Sequence, residues 1–182
     1  YAKIAKLTIE ESDDILTTYE SLEDPFGSFE LSTLDFVSIG RPMVCMRGPE
    51  IAAGNSQYAH PFGRALIGKA VITKPMDITG LFDGCGIKQI VLPDGLTAIG
   101  DYAFRFKRVS SQNDYITDAA YKLTEIIIPS SVKTIGKEAF CGHNIKDLYI
   151  PSSVTSIDDY AFYDNIINNL VLPNNLTSIG IY

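Results

Sequence analysis

Histidine, cysteine and excess positive charge are all scarce in this 182-residue chain, and each scarcity argues against a class of function. The two histidines, His60 and His143, lie in different regions. Neither has a Cys, His or carboxylate at ligand spacing, so the sequence offers no metal site, and it shows no cofactor cradle. The three cysteines, Cys45, Cys85 and Cys141, are odd in number and lack ligand spacing, which argues against a disulfide framework. Net charge is −7. Residues 1–80 carry 7 basic and 11 acidic side chains and residues 81–182 carry 8 and 11, so no basic stripe exists to neutralise phosphates and nucleic acid is not an expected partner. No run of 18 apolar residues occurs, and no transmembrane segment is predicted. The acidic first 30 residues read as a solvated face. The chain begins at Tyr1 with no signal peptide, which leaves export open.

What the chain has instead is repetition. A phrase of 22 residues is written four times: LFDGCGIKQIVLPDGLTAIGDY (81–102), an interrupted copy (103–138), AFCGHNIKDLYIPSSVTSIDDY (139–160) and AFYDNIINNLVLPNNLTSIGIY (161–182). Apolar residues recur at six offsets. In one copy they are Phe140, Ile145, Leu148, Ile150, Val154 and Ile157; in the next they are Phe162, Ile167, Leu170, Leu172, Leu176 and Ile179. A fixed period of this length predicts a solenoid, in which the core exists only between stacked neighbours. One short strand per copy precedes each proline: Gln89–Leu92, Glu125–Ile128, Asp147–Ile150 and Asn169–Leu172. Pro93, Pro129, Pro151 and Pro173 lack an N–H and end the ladder. The glycines Gly100, Gly136 and Gly180, with Asp158 in the same column, suggest a backbone with φ > 0.

The string I-x-I-P-S-S-V-x-x-I-G-x-x-A-F, complete at 126–140 and nearly so at 148–162, resembles the BspA-like, or type 5, leucine-rich repeat. The resemblance covers about residues 66–182. It implies a right-handed leucine-rich-repeat solenoid with a parallel sheet and little helix, a surface or secreted bacterial protein, and a non-enzymatic role in adhesion or protein binding. It carries over no catalytic residues.

Residues 66–80 read as a worn copy with a strand at Ala70–Thr73. Residues 1–65 are expected to form an α+β capping region, as degenerate repeats or a small separate domain. There Ser12 is placed to cap a short helix with Ile15, Leu16, Tyr19 and Leu22 on one face. Pro42–Arg47 alternates like a strand, and Gly48–Gly63 reads as a loop. Ser130-Ser131 and Ser152-Ser153 read as turn residues bonding their own backbone, and Asp158-Asp159 as turn chemistry; neither pair suggests an enzyme. Asn175-Leu176-Thr177 is formally a glycosylation sequon, treated as coincidence.

Two features rise above scaffold. Val91, Ile127, Tyr149 and Val171 fall on the outward side of the strands, beside Gln89, Glu125, Asp147 and Asn169. β-propensity alone accounts for such an apolar row, but an apolar patch rimmed by polar groups also marks a partner surface. The second feature is the insertion near Lys107–Ala120, which loops out from a repeat edge. A protein partner is the expected ligand. A carbohydrate-binding accessory protein is the rival, with Tyr149 and Tyr102 as sugar platforms. The copy at 161–182 has no successor, which predicts either a longer parent protein or end-to-end self-association.

Overall fold

In a computed structural model the described residues are 3–12, 16–19, 33–41, 43–46, 62, 65–106 and 119–182. They contain thirteen strands: β1 (Lys3–Ile4), β2 (Leu7–Ile9), β3 (Leu16–Tyr19), β4 (Thr33–Ile39), β5 (Met43–Met46), β6 (Leu66–Ile72), β7 (Gly86–Val91), β8 (Ala98–Ile99), β9 (Thr134–Ile135), β10 (Asp147–Tyr149), β11 (Ser156–Ile157), β12 (Asn169–Val171) and β13 (Ser178–Ile179). The helical content of the described residues is a single 3-10 turn at Ala119–Tyr121. Every strand pairing is parallel. Parallel neighbours need a crossover between them, and here each crossover is one turn of the coil.

Each coil shows three sides. The first is the long-strand side, where Leu34, Ile67 and Ile87 stand opposite one another and Leu148 stands opposite Leu170. The second is the short sheet β8–β9–β11–β13, with Ile99, Ile135, Ile157 and Ile179 in register. The third is the Ala-Phe turn, where Phe82, Phe104 and Phe140 donate their N–H groups to the carbonyls of Ala103, Ala139 and Ala161 at 2.9, 2.9 and 2.7 Å. Side chains pointing in from all three sides make one continuous core.

A phenylalanine stack runs through that core. Ring centroids are 5.1 Å apart for Phe62–Phe82, then 5.8, 5.3 and 5.4 Å along Phe104, Phe140 and Phe162. Phe62, Phe82, Phe104 and Phe140 are fully buried. Such stacked pairs add about 0.5–1.5 kcal/mol each beyond the area they bury. The order of the column follows from the constant offset of Phe within the copies. Phe62, in the stretch expected to be a loop, extends the stack by one ring.

The structure corrects several expectations. Leu16–Tyr19 is a strand, not a helix, paired with Met43–Met46. Its Leu-Thr-Thr-Tyr sequence is β-branched and aromatic, and ladder bonds outweigh the single capping signal of Ser12. No α-helix lies among the described part of residues 1–65; β1, β2 and β4 join the same sheet as β6 and β7. The strand at 66–80 begins at Leu66, ahead of the expected Ala70. Glu125–Ile128 forms no strand, although Ile126 and Ile128 stay buried. The insertion re-enters through the Ala119–Tyr121 turn, and a Cβ on Gly86 would lie 2.7 Å from that of Tyr121. Insertion residues 107–118 and most of Gly48–Gly63 lie outside the described residues.

Gly100, Gly136, Gly180 and Asp158 do not have the expected positive φ. Positive φ falls two positions later, at Tyr102, Glu138 and Tyr160, with φ of 57°, 51° and 58°. The glycine is required for close approach instead: a Cβ on Gly136 would come within 2.6 Å of the Asp101 backbone nitrogen. At Gly136 the coils touch and only hydrogen fits, although Asp158 carries a side chain at the same offset one copy later.

Candidate interaction surface

The outward positions of the long strands converge on one exposed face. Val91 is 44%, Ile127 85%, Tyr149 64% and Val171 53% exposed. Period-2 alternation puts them outside, because Ile90, Ile126, Leu148 and Leu170 in the same segments take the inward positions. Tyr149 and Val171 are direct ladder partners, and Val91 faces Val71 on the preceding coil. Ile127 sits on the segment without ladder bonds, but its coil is fastened at its start: Asn144 and Lys146 donate their N–H groups to the carbonyls of Leu123 and Thr124 at 2.9 and 3.3 Å.

Beside this row, Gln89, Glu125, Asp147 and Asn169 are also exposed. Gln89 faces Lys69, and the Asn169 amide nitrogen donates to the Asp147 carboxylate, which ties the last two coils together. One position further out stand Lys88 and Lys146, and the Lys88 ammonium lies 4.2 Å from the Tyr121 ring centroid. The apolar row and the column of Gln, Glu, Asp and Asn beside it run along the coil axis, and at the position beyond them Lys88 and Lys146 alternate with Thr124 and Asn168.

The turn side carries a polar cluster that sequence reading missed. Arg105 grips the buried Asp83 in a bidentate pair, both N–O distances being 2.6 Å, and reaches Glu138 at 3.1 Å. Burial works to lower the guanidinium pKa, but the bonds and charges of Asp83 and Glu138 outweigh it and push the value up. Asp83, Arg105, Cys141 and Tyr163 share one repeat offset, so the signal was an acid and a base one copy apart. Arg105 also lies 4.3 Å over the ring of Tyr102, which covers one of the two proposed sugar platforms. Farther along this side Tyr160 and Tyr182 stack at 5.2 Å, with Tyr163 edge-on to both.

Chemistry-bearing groups elsewhere are structural. His143 is buried: its Nδ1 accepts from the Leu123 N–H at 3.2 Å and its Nε2 lies 2.6 Å from the Phe104 carbonyl. An accepting Nδ1 puts the proton on Nε2, which makes the ring neutral. Burial, with Lys122 assisting, lowers its pKa to about 4 against the opposing carbonyl bond. Asn165, one copy later, does the same work: its Oδ1 accepts from Ile145 N–H at 3.0 Å, and its amide nitrogen donates to Phe140 and Phe162 carbonyls at 2.8 and 2.9 Å. Burial and then Asp83 raise the Cys85 pKa; burial, then Glu138 and Asp164, push Cys141 up to about 11. Neither thiol is a ready nucleophile. Ser131 donates to the Leu96 carbonyl of the preceding coil at 2.8 Å, not to its own turn. Asp158 accepts from the Asp159 N–H within its own turn, whereas Asp159 accepts from the Ile181 N–H of the next coil and so joins coils.

Among the described residues no group of three or more His, Cys, Asp or Glu is placed to hold a metal, and no helix is long and apolar enough to cross a membrane. A family model described as the BspA type leucine rich repeat region matches residues 79–111 and 113–182 in six copies, which is more than half of the chain. No curated protein and no solved structure matches.

Proposed function

We propose a protein-binding role for this chain, which belongs to the BspA-type leucine-rich repeat family. The family points to a non-enzymatic interaction module, and the proposal adds the surface: partners dock on the open face through Val91, Ile127, Tyr149 and Val171, rimmed by Gln89, Glu125, Asp147 and Asn169. One observation carries it. Four large apolar side chains in one column are all exposed where a solvated face would alternate to polar residues. On the same reading the array is a right-handed solenoid with a repeat of about 22 residues; the expected single strand per copy is replaced by two in copies 81–102, 139–160 and 161–182. Residues 1–65 extend or cap it, the chain acts in adhesion at a cell surface or after secretion, and the end coil 161–182 pairs with a second molecule.

The test compares the wild-type chain with an Ile127→Glu, Tyr149→Glu variant against a panel of cell-surface proteins and a glycan array. Protein capture lost in the variant supports the reading. Glycan binding that survives Ile127→Glu but falls with Tyr149→Ala supports the carbohydrate rival. Equal protein capture by both chains refutes the face assignment.

A further inference from the structure

We infer that the partner presented to this face is an amphipathic α-helix laid along the coil axis, with a basic flank; the inference rests on the open face being the binding face. Spacing is the first argument. Neighbouring parallel coils repeat at about 4.8 Å, so the three steps from Val91 to Val171 span about 14 Å. The apolar stripe of a helix, at i, i+3 or i+4, i+7 and i+10 or i+11, covers three steps in about 16 Å. An extended chain shows alternate side chains about 6.8 Å apart and needs about 20 Å. The helix stays within about 2 Å of the row over its whole length, whereas the extended chain drifts by about 6 Å.

Backbone hydrogen bonding is the second argument. The N–H and C=O groups of β10 and β12 run along the axis into the neighbouring coil, as in the 2.9–3.3 Å bonds from Asn144 and Lys146 and the 3.0 Å bond from Ile150 N–H to the Val171 carbonyl. Over β10 and β12 the face therefore presents side chains and little backbone, whereas the segment carrying Ile127 is without ladder bonds. An extended peptide pressed onto it would lose water from polar groups that gain no partner, while a helix satisfies its own. Charge is the third argument. On one side of the row stand the exposed carboxylates of Glu125 and Asp147, with Lys88 and Lys146 one position beyond them; on the other the chain turns away through Pro93, Pro129, Pro151 and Pro173, where Asp94 is the one charged residue directly following a proline. A helix with Lys or Arg along one edge of its apolar stripe matches that asymmetry in a single orientation.

Two display libraries test this against the full chain: a rigid helical scaffold randomised over one face, and a linear peptide library of similar size. The expected result is enrichment of helical clones with apolar residues at i, i+3 or i+4 and i+7 and Lys or Arg on one edge. Their affinity should fall at least tenfold on Ile127→Glu or Tyr149→Glu. It should fall about tenfold on the Glu125→Lys, Asp147→Lys double change, and return when the clone's basic edge is made acidic. Ile127, Tyr149 and Glu125 are exposed and their variants should keep the wild-type melting temperature; Asp147→Lys also loses the bond from Asn169, so the double change is compared with Glu125→Lys alone and its melting temperature is measured. Face-dependent binders arising only from the linear library, or helical clones with no edge preference, overturn the helix and leave the open face standing. Binders unaffected by Ile127→Glu and Tyr149→Glu, or no binders from either library, overturn the open face as well.

Discussion

Acidification from pH 7 to pH 5 should remove about 2 kcal/mol of stability through one side chain, His143. In the folded chain its ring is buried and neutral, with a pKa lowered to about 4, against 6.5 for an exposed imidazole. The unfolded state therefore binds the extra proton. Stability from this group is fully present above pH 6.5 and is lost as pH falls toward 4. At pH 5 the unfolded ring is almost wholly protonated and the folded ring about a tenth so, which gives about 2 kcal/mol between the two pH values. The informative variant is His143→Asn. Asn165 already makes the same pair of bonds one copy later, to the corresponding Phe carbonyl and the corresponding N–H. The variant should keep the fold, lose about 1 kcal/mol at pH 7 to the smaller side chain, and lack the pH-dependent loss. Urea unfolding of both chains at pH 7, 6 and 5 and constant ionic strength reads the difference. Groups common to both chains cancel in the comparison. A gap between the two chains that stays constant within about 0.5 kcal/mol from pH 7 to 5 would refute a neutral, buried His143.

Phe140→Ala should cost about 3–5 kcal/mol in denaturant midpoint, because the fully buried ring is stacked on both sides and rigid neighbours cannot close the void. Arg105→Met should cost about 3 kcal/mol by removing the ion pair of buried Asp83, and adding Asp83→Asn should recover part of it; no recovery in the double variant would show that packing, not charge, is at stake. Gly136→Ala should destabilise measurably in a thermal melt, since its Cβ would collide with Asp101 of the preceding coil. Asp164→Gly should raise stability by up to about 1 kcal/mol, because Asp164 is an exposed residue held at φ 55°.

The core of this fold was legible because burial in a stacked coil is a property of columns. A residue's fate is decided by its offset within the copy, and offsets are read directly from spacing: Phe82, Phe104, Phe140 and Phe162 needed no three-dimensional information to be placed on one line. The outward row followed from the same alternation. What was not legible depends on pairs of coils. Gly136 is glycine because of Asp101, and Arg105 is held by Asp83; each relation joins different offsets or different side chains in a column that looks merely variable. A column that varies between Asp and Arg, or between His and Asn, reads as drift when only identity is compared. It reads as structure once bonding capacity is compared: His143 and Asn165 differ in name, yet each supplies one acceptor and one donor at the same place. The N-terminal strands escaped notice for a related reason. Partners there lie 30 residues apart between Leu7 and Val37 and 33 between Leu34 and Ile67, so no fixed period marks them, although their ladders are as parallel as the rest. Regular spacing thus reveals where coils stack, whereas the chemistry that joins them has to be sought in complementary pairs between neighbouring copies.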